Sequence, residues 1–95
     1  MKYELKLHNS DGTEKKTCGT DFISTNTLIK AIKCLEEIEK EKDAEAVITH
    51  LAKVVTYLIP DLTIEEVKEG ADFGDLMTLI KSVVKKVNDI EPSKN

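Results

Sequence analysis

Two histidines, two cysteines and a scatter of hydroxyl residues are the groups in this chain best suited to chemistry, and their spacing limits what they can do. Nucleophilic catalysis needs a Ser or Cys beside a His with an orienting acid. His8 falls in a predicted strand and His50 on the flank of a predicted helix, and neither adjoins a glycine-rich elbow. The glycines stand apart at positions 12, 19, 70 and 74, so no phosphate-cradling loop is written either. His50 and Tyr57 lie one above the other at i, i+7, a pair that reads as packing or rim. Cys18 and Cys34 have no histidines around them at metal-ligand spacing and read as small structural hydrophobes. The sequence thus predicts a non-enzyme with no catalytic residue, no metal and no cofactor.

Composition narrows the choice further. Ninety-five residues suffice for one domain, here 1–95, and a chain of that length leaves little room for a large cleft. It is 40% hydrophobic, 34% charged and only 4% aromatic, so its core must be aliphatic. The net charge is -4, and all fourteen basic residues are Lys. Without arginine the chain lacks the forked donor that reads guanine and clamps phosphate, which argues against nucleic acid. Charges at nearly every second position from Lys2 to His8 argue against a secretion signal, and no uncharged run reaches membrane-spanning length. The expectation is a cytosolic protein with no membrane partner.

The elements follow from periodicity. Tyr3, Leu5 and Leu7 alternate with Lys2, Glu4 and Lys6 at the strand period, and Asp11-Gly12 supplies a tight turn. Cys18, Thr20 and Phe22 are then expected on one face of a second strand, giving a hairpin over about 2–23. A helix over 25–41 opens at Ser24 or Thr25 with Leu28, Ile32 and Leu35 as its apolar stripe. Its end is almost wholly charged, and Glu36, Glu37, Glu39, Glu41, Asp43 and Glu45 are expected to project into solvent. Asp43 caps a helix over 44–59 whose apolar arc of roughly 160° marks it as central to a bundle, and Pro60 ends it. Thr63 and Glu66 spell a capping box for a short helix over 64–69, with Leu62 as a staple onto Val67 and Gly70 as a left-handed stop.

The last helix, 72–90, places Phe73, Leu76, Met77, Ile80, Val84 and Val87 on one face. Leu79, Val83 and Ile90 widen that stripe to roughly 160°. Either the hairpin packs over the excess or a second protein chain does. The fold class expected is α+β, mostly α: an N-terminal β-hairpin packed on a small bundle of three to four helices.

Two resemblances bear on function. Gly70-Ala71-Asp72 leading into a helix superficially resembles an acyl carrier protein, but there the residue after the Asp is the Ser that carries the phosphopantetheine arm. Phe73 stands in its place, so that reading fails. The order of elements and the stretch Ile59-Pro60-Asp61-Leu62-Thr63-Ile64-Glu65-Glu66-Val67-Lys68-Glu69-Gly70 resemble the tail assembly chaperones of long-tailed phages. Leu62 and Thr63 match an aromatic-Thr position, with Leu62 departing from the usual aromatic; Glu65 and Glu66 match an acidic pair, and Gly70 a glycine.

The resemblance implies a non-catalytic protein of the host cytoplasm that binds the tape measure protein, keeps it soluble while the tail tube assembles, and is absent from the mature virion. It implies the short, non-frameshifted form, with tail tube protein reached through an extended product, and self-association fits the surplus apolar arc. The site residues expected are Leu79, Val83 and Ile90 as a self-association or client strip, and Glu36, Glu37 and Glu39 as an acidic projection that steers a basic client segment. A small cytosolic interaction module, such as a regulator or antitoxin, is the competing class, because it too predicts a helical interface without catalysis.

Overall fold

The structure is a computed structural model that describes residues 2–90, with side chains described as far as residue 85. It consists of β1 (Tyr3–His8), β2 (Glu14–Thr20), α1 (Thr25–Ile38), α2 (Ala44–Leu58), α3 (Ile64–Gly70) and α4 (Phe73–Ile90).

The hairpin forms where the alternation places it. β1 and β2 pair antiparallel with Leu5 opposite Cys18 and Leu7 opposite Lys16. Register then shifts, since His8 faces Glu14, and the unpaired Lys15 makes a bulge at the mouth of the turn. In the turn Gly12 takes φ +90°, which a side chain rarely tolerates. Asp11 Oδ1 accepts from the Thr13 amide at 3.0 Å and from its hydroxyl at 2.6 Å. These donors hold the Asp11 carboxyl below the ordinary carboxylate range. The second strand stops at Thr20, and Phe22, expected to share one face of it with Cys18 and Thr20, lies beyond it and is strongly exposed. Thr20 Oγ1 accepts from the Phe22 amide at 3.2 Å and turns the chain out of the sheet.

Each helix is capped by the residue its sequence supplies. Ser24 Oγ accepts from the Thr27 amide at 3.1 Å, Asp43 Oδ2 from the Ala46 amide at 3.1 Å, and Asp72 Oδ2 from the Asp75 amide at 3.1 Å. α1 ends at Ile38, short of the expected 41. No apolar residue follows to be buried, and the acids there oppose the negative end of the helix dipole. The amides of Lys40 and Glu41 instead donate to Glu37 and Ile38 at 3.1 and 3.0 Å in tightened turns.

α2 is the hub, packed against α1, α3 and α4, while β1 packs on α3 and α4. The core is aliphatic: Leu5 and Leu7 of β1, Leu51, Val54, Val55 and Leu58 of α2, Ile59, Leu62, Val67, and Leu76, Leu79, Ile80 and Val83 of α4. Full burial of each such side chain contributes about 1.5–3 kcal/mol. α1 enters it mainly through Ala31 and Cys34, with Leu28, Leu35 and Ile38 half-buried around them. The inward face of α1 is therefore turned from the expected line, leaving Ile32 at its margin.

Candidate functional site

The short helix α3 sets the geometry of the surface around it. Thr63 Oγ1 accepts from the Glu66 amide at 3.1 Å, and Glu66 Oε1 accepts from the Thr63 amide at 3.0 Å, which is the capping box read from the sequence. Lys16 Nζ adds a bond to Glu66 Oε2 at 3.1 Å and ties α3 to the hairpin. The Thr63 amide and Lys16 together hold the Glu66 carboxyl below its ordinary range, and Lys16 is raised in return.

Gly70 does not act as the left-handed stop expected of it. It is the last helical residue, and the cap at Ala71 is extended. Its role is close approach: a Cβ there would meet the His8 carbonyl oxygen at 3.2 Å, the His8 nitrogen at 3.3 Å and Leu7 Cβ at 3.3 Å. His8 Nδ1 donates to the Gly70 carbonyl at 3.0 Å, and Leu7 bridges to Ala71, so α3 is sewn to the free edge of β1.

Pinned this way, α3 forms one wall of an apolar groove of about 180 Å³ between α2 and the start of α4. Ile48 and Ala52 of α2, Val67, Ala71, Phe73 and Leu76 line it, and Lys68 is its only charged residue. Two large hydrophobic side chains stand open at its margin, Phe73 at 55% and Ile48 at 42% exposure. The apolar slot thus has an aromatic and a β-branched side chain open beside it. Phe73 was expected on the core face of the last helix; the core side of α4 is instead Leu76, Leu79, Ile80 and Val83, with Met77 and Val84 half-buried.

That rotation decides the fate of the expected strip. Leu79 and Val83 are each only 6% exposed. α4 packs on β1, where Leu79 and Leu5 line one recess, and Leu79 and Val83 both belong to the core. The side chain of Ile90 lies outside the described residues. Glu36, Glu37 and Glu39 are exposed at the end of α1, where Glu37 Oε1 lies 3.6 Å from His50 Nε2. The structure brings neither the acids nor Leu79 and Val83 into the groove. The groove residues had one signal in the sequence: Phe73 opens a helix directly after a cap, where a first-turn side chain has few neighbours.

The residues considered for chemistry are engaged structurally. His50 Nδ1 donates to the Ala46 carbonyl at 3.0 Å within its own helix. Cys34 is buried, its thiol donating to the His50 carbonyl at 3.7 Å, and burial raises its pKa. Cys18 and Cys34 are both free thiols. A polar recess of about 470 Å³ beside His8, Ser10, Lys15, Glu66 and Glu69 draws its His8 and Glu66 from pairs already described. Among the described residues no group of three His, Cys, Asp or Glu side chains could hold a metal ion. None of their helices is long and apolar enough to cross a membrane.

The fold is a small hairpin-and-helix domain with an open apolar groove. The particular family is given by a family model described as "Phage tail chaperone protein", which matches residues 1–95. The chain belongs to that family, and its role is that of a tail assembly chaperone. No curated protein and no solved structure matches it.

Proposed function

We propose that this chain binds the tape measure protein in the host cytoplasm and keeps it soluble while the tail tube assembles, leaving before the virion is complete. The groove between α2, α3 and the start of α4 is the docking surface. The observation that carries the reading is the pair of open hydrophobic side chains, Ile48 and Phe73, flanking an apolar slot on a small acidic protein. A slot of this kind takes the apolar ridge of an amphipathic helix, and a long, largely helical client offers many such ridges. With Lys68 as its only charged liner, the slot grips client side chains without selecting strongly by charge. Self-association belongs to the same reading, as does recruitment of tail tube protein by an extended product. The family match favours it over an antitoxin or regulator.

The test is co-expression with a tape measure fragment that precipitates alone. Wild-type chain and a Phe22→Ser control should keep the fragment in the supernatant. Ile48→Ser combined with Phe73→Ser should lose that activity while melting as the wild type does. If the double variant protects the fragment equally well, the groove is not the docking surface. If the wild type itself fails to protect, the tape measure is not the client.

A further inference from the structure

We propose that the notch between α1 and α2 is a second contact surface, apart from the groove, and that it takes an acidic peptide segment of a protein partner through the ammonium groups of Lys30, Lys33 and Lys53. On α1 the positions 30, 33, 34 and 37 fall along one flank at helical spacing, and on α2 the positions 53 and 57 stack one turn apart. The packing of α1 on α2 brings these flanks together around a shallow cavity of about 260 Å³, lined by Lys30, Lys33, Cys34, Glu37, Lys53 and Tyr57. Cys34 is its buried floor, where the thiol donates to the His50 carbonyl at 3.7 Å. Lys53 and Tyr57 lie about 100° or more around the α2 axis from Ile48 and Ala52, so the notch and the groove occupy different faces of that helix.

The charge of the notch runs against that of the chain. Eighteen acidic residues outnumber fourteen lysines overall, yet three lysines and one glutamate line this cavity. All three lysines are exposed, and among the described residues none of them makes an ion pair. Glu37 offsets only one of the three charges, and its Oε1 is drawn to His50, 3.6 Å from Nε2. Like charges gathered without partners repel, and carboxylates brought from outside relieve that repulsion. The apolar stems of the lysines and the ring of Tyr57 receive the methylene groups that carry those carboxylates.

The charge balance selects a protein segment over a nucleic acid. A nucleic acid is charged along its whole length and is repelled outside the notch by a chain of net charge -4, whereas a short run of Asp or Glu brings charge only where the lysines stand. Lysine suits this task as a point charge on a flexible stem. The apolar groove selects by shape, and the notch adds selection by charge.

NMR titration of the full chain tests it, with a short capped oligoglutamate peptide as probe and the matching oligoglutamine as control. Oligoglutamate should shift amides within 30–37 and 53–57, and its affinity should fall about tenfold or more between about 0.01 M and 1 M salt. Lys30→Gln, Lys33→Gln and Lys53→Gln together should weaken binding about tenfold while melting as the wild type does, and Lys53→Gln alone should show part of that loss. Lys40→Gln, Lys42→Gln and Lys81→Gln together make the same charge change at exposed positions outside the notch and should bind nearly as the wild type does. A wild type that binds no oligoglutamate at low salt overturns the proposal. Equal losses in the two triple variants, or none in the first, overturn the notch as the site. Equal shifts with oligoglutamine overturn recognition by charge, and a single-stranded oligonucleotide that binds the notch more tightly than oligoglutamate overturns the choice of partner.

Discussion

α1 and α4 are both amphipathic helices, of 14 and 18 residues, yet they end in opposite situations. α4 lies between β1 and α2, and Leu76, Leu79, Ile80 and Val83 of its apolar arc are buried. α1 leans mainly on α2, and Ile29 on its far side stays open. Arc width is therefore a poor guide to exposed surface. What counts is how many elements the chain has left to lay over the arc. Among the described residues the hairpin is the only cover available besides the helices, and its pairing to Ala71 and packing on α3 and α4 commit it to one end of the molecule.

The comparison breaks most visibly at Leu79. Leu79→Ala should cost about 2–5 kcal/mol in chemical denaturation, and Leu79→Asp with Val83→Asp should abolish the cooperative transition, because charge is placed in a closed core. Ile29→Ser on α1 should change stability by less than about 0.5 kcal/mol. A small loss at Leu79 would mean that α4 is the open helix after all.

The anchoring of the hairpin comes next in size. Thr63→Ala removes the cap of α3 and should cost about 1 kcal/mol. Gly70→Ala improves helix propensity but drives a methyl group into the backbone at His8, and the clash should prevail by about 1 kcal/mol, since that backbone is held by the ladder and by the His8 bond. Urea midpoints measure both. A stabilised Gly70→Ala would show that β1 can retreat from α3.

The smallest effect is electrostatic. Glu66 has a depressed pKa in the folded chain, so its contribution is fully present above the ordinary glutamate range and is lost as pH falls through that range toward the depressed value. Glu66→Gln should flatten the acid limb of a stability-against-pH curve and leave the neutral limb almost unchanged.

Much of this was legible in the residues. Ser24, Asp43 and Thr63 cap helices as read, because their side chains satisfy amides only a few residues ahead, a purely local rule; Asp72 obeys it too, though it was expected as the first residue of its helix. The strand alternation at Leu5 and Leu7 and the breadth of α2 were legible for the same reason. What sequence could not supply was rotation about a helix axis: the facing of α4 that buries Leu79 and Val83 and opens Phe73 depends on where β1 lands. Gly70 shows the limit well. A glycine at a helix end suggests a left-handed cap, whereas here it marks a strand sixty residues earlier in the chain pressing against the helix.

Amide hydrogen exchange of the chain with and without a tape measure fragment tests the central claim most directly. Added protection concentrated in 45–52 and 67–76, the segments that build the groove, is the result expected. Protection confined to the hairpin or to the outer turns of α1, with those segments unchanged, would contradict it.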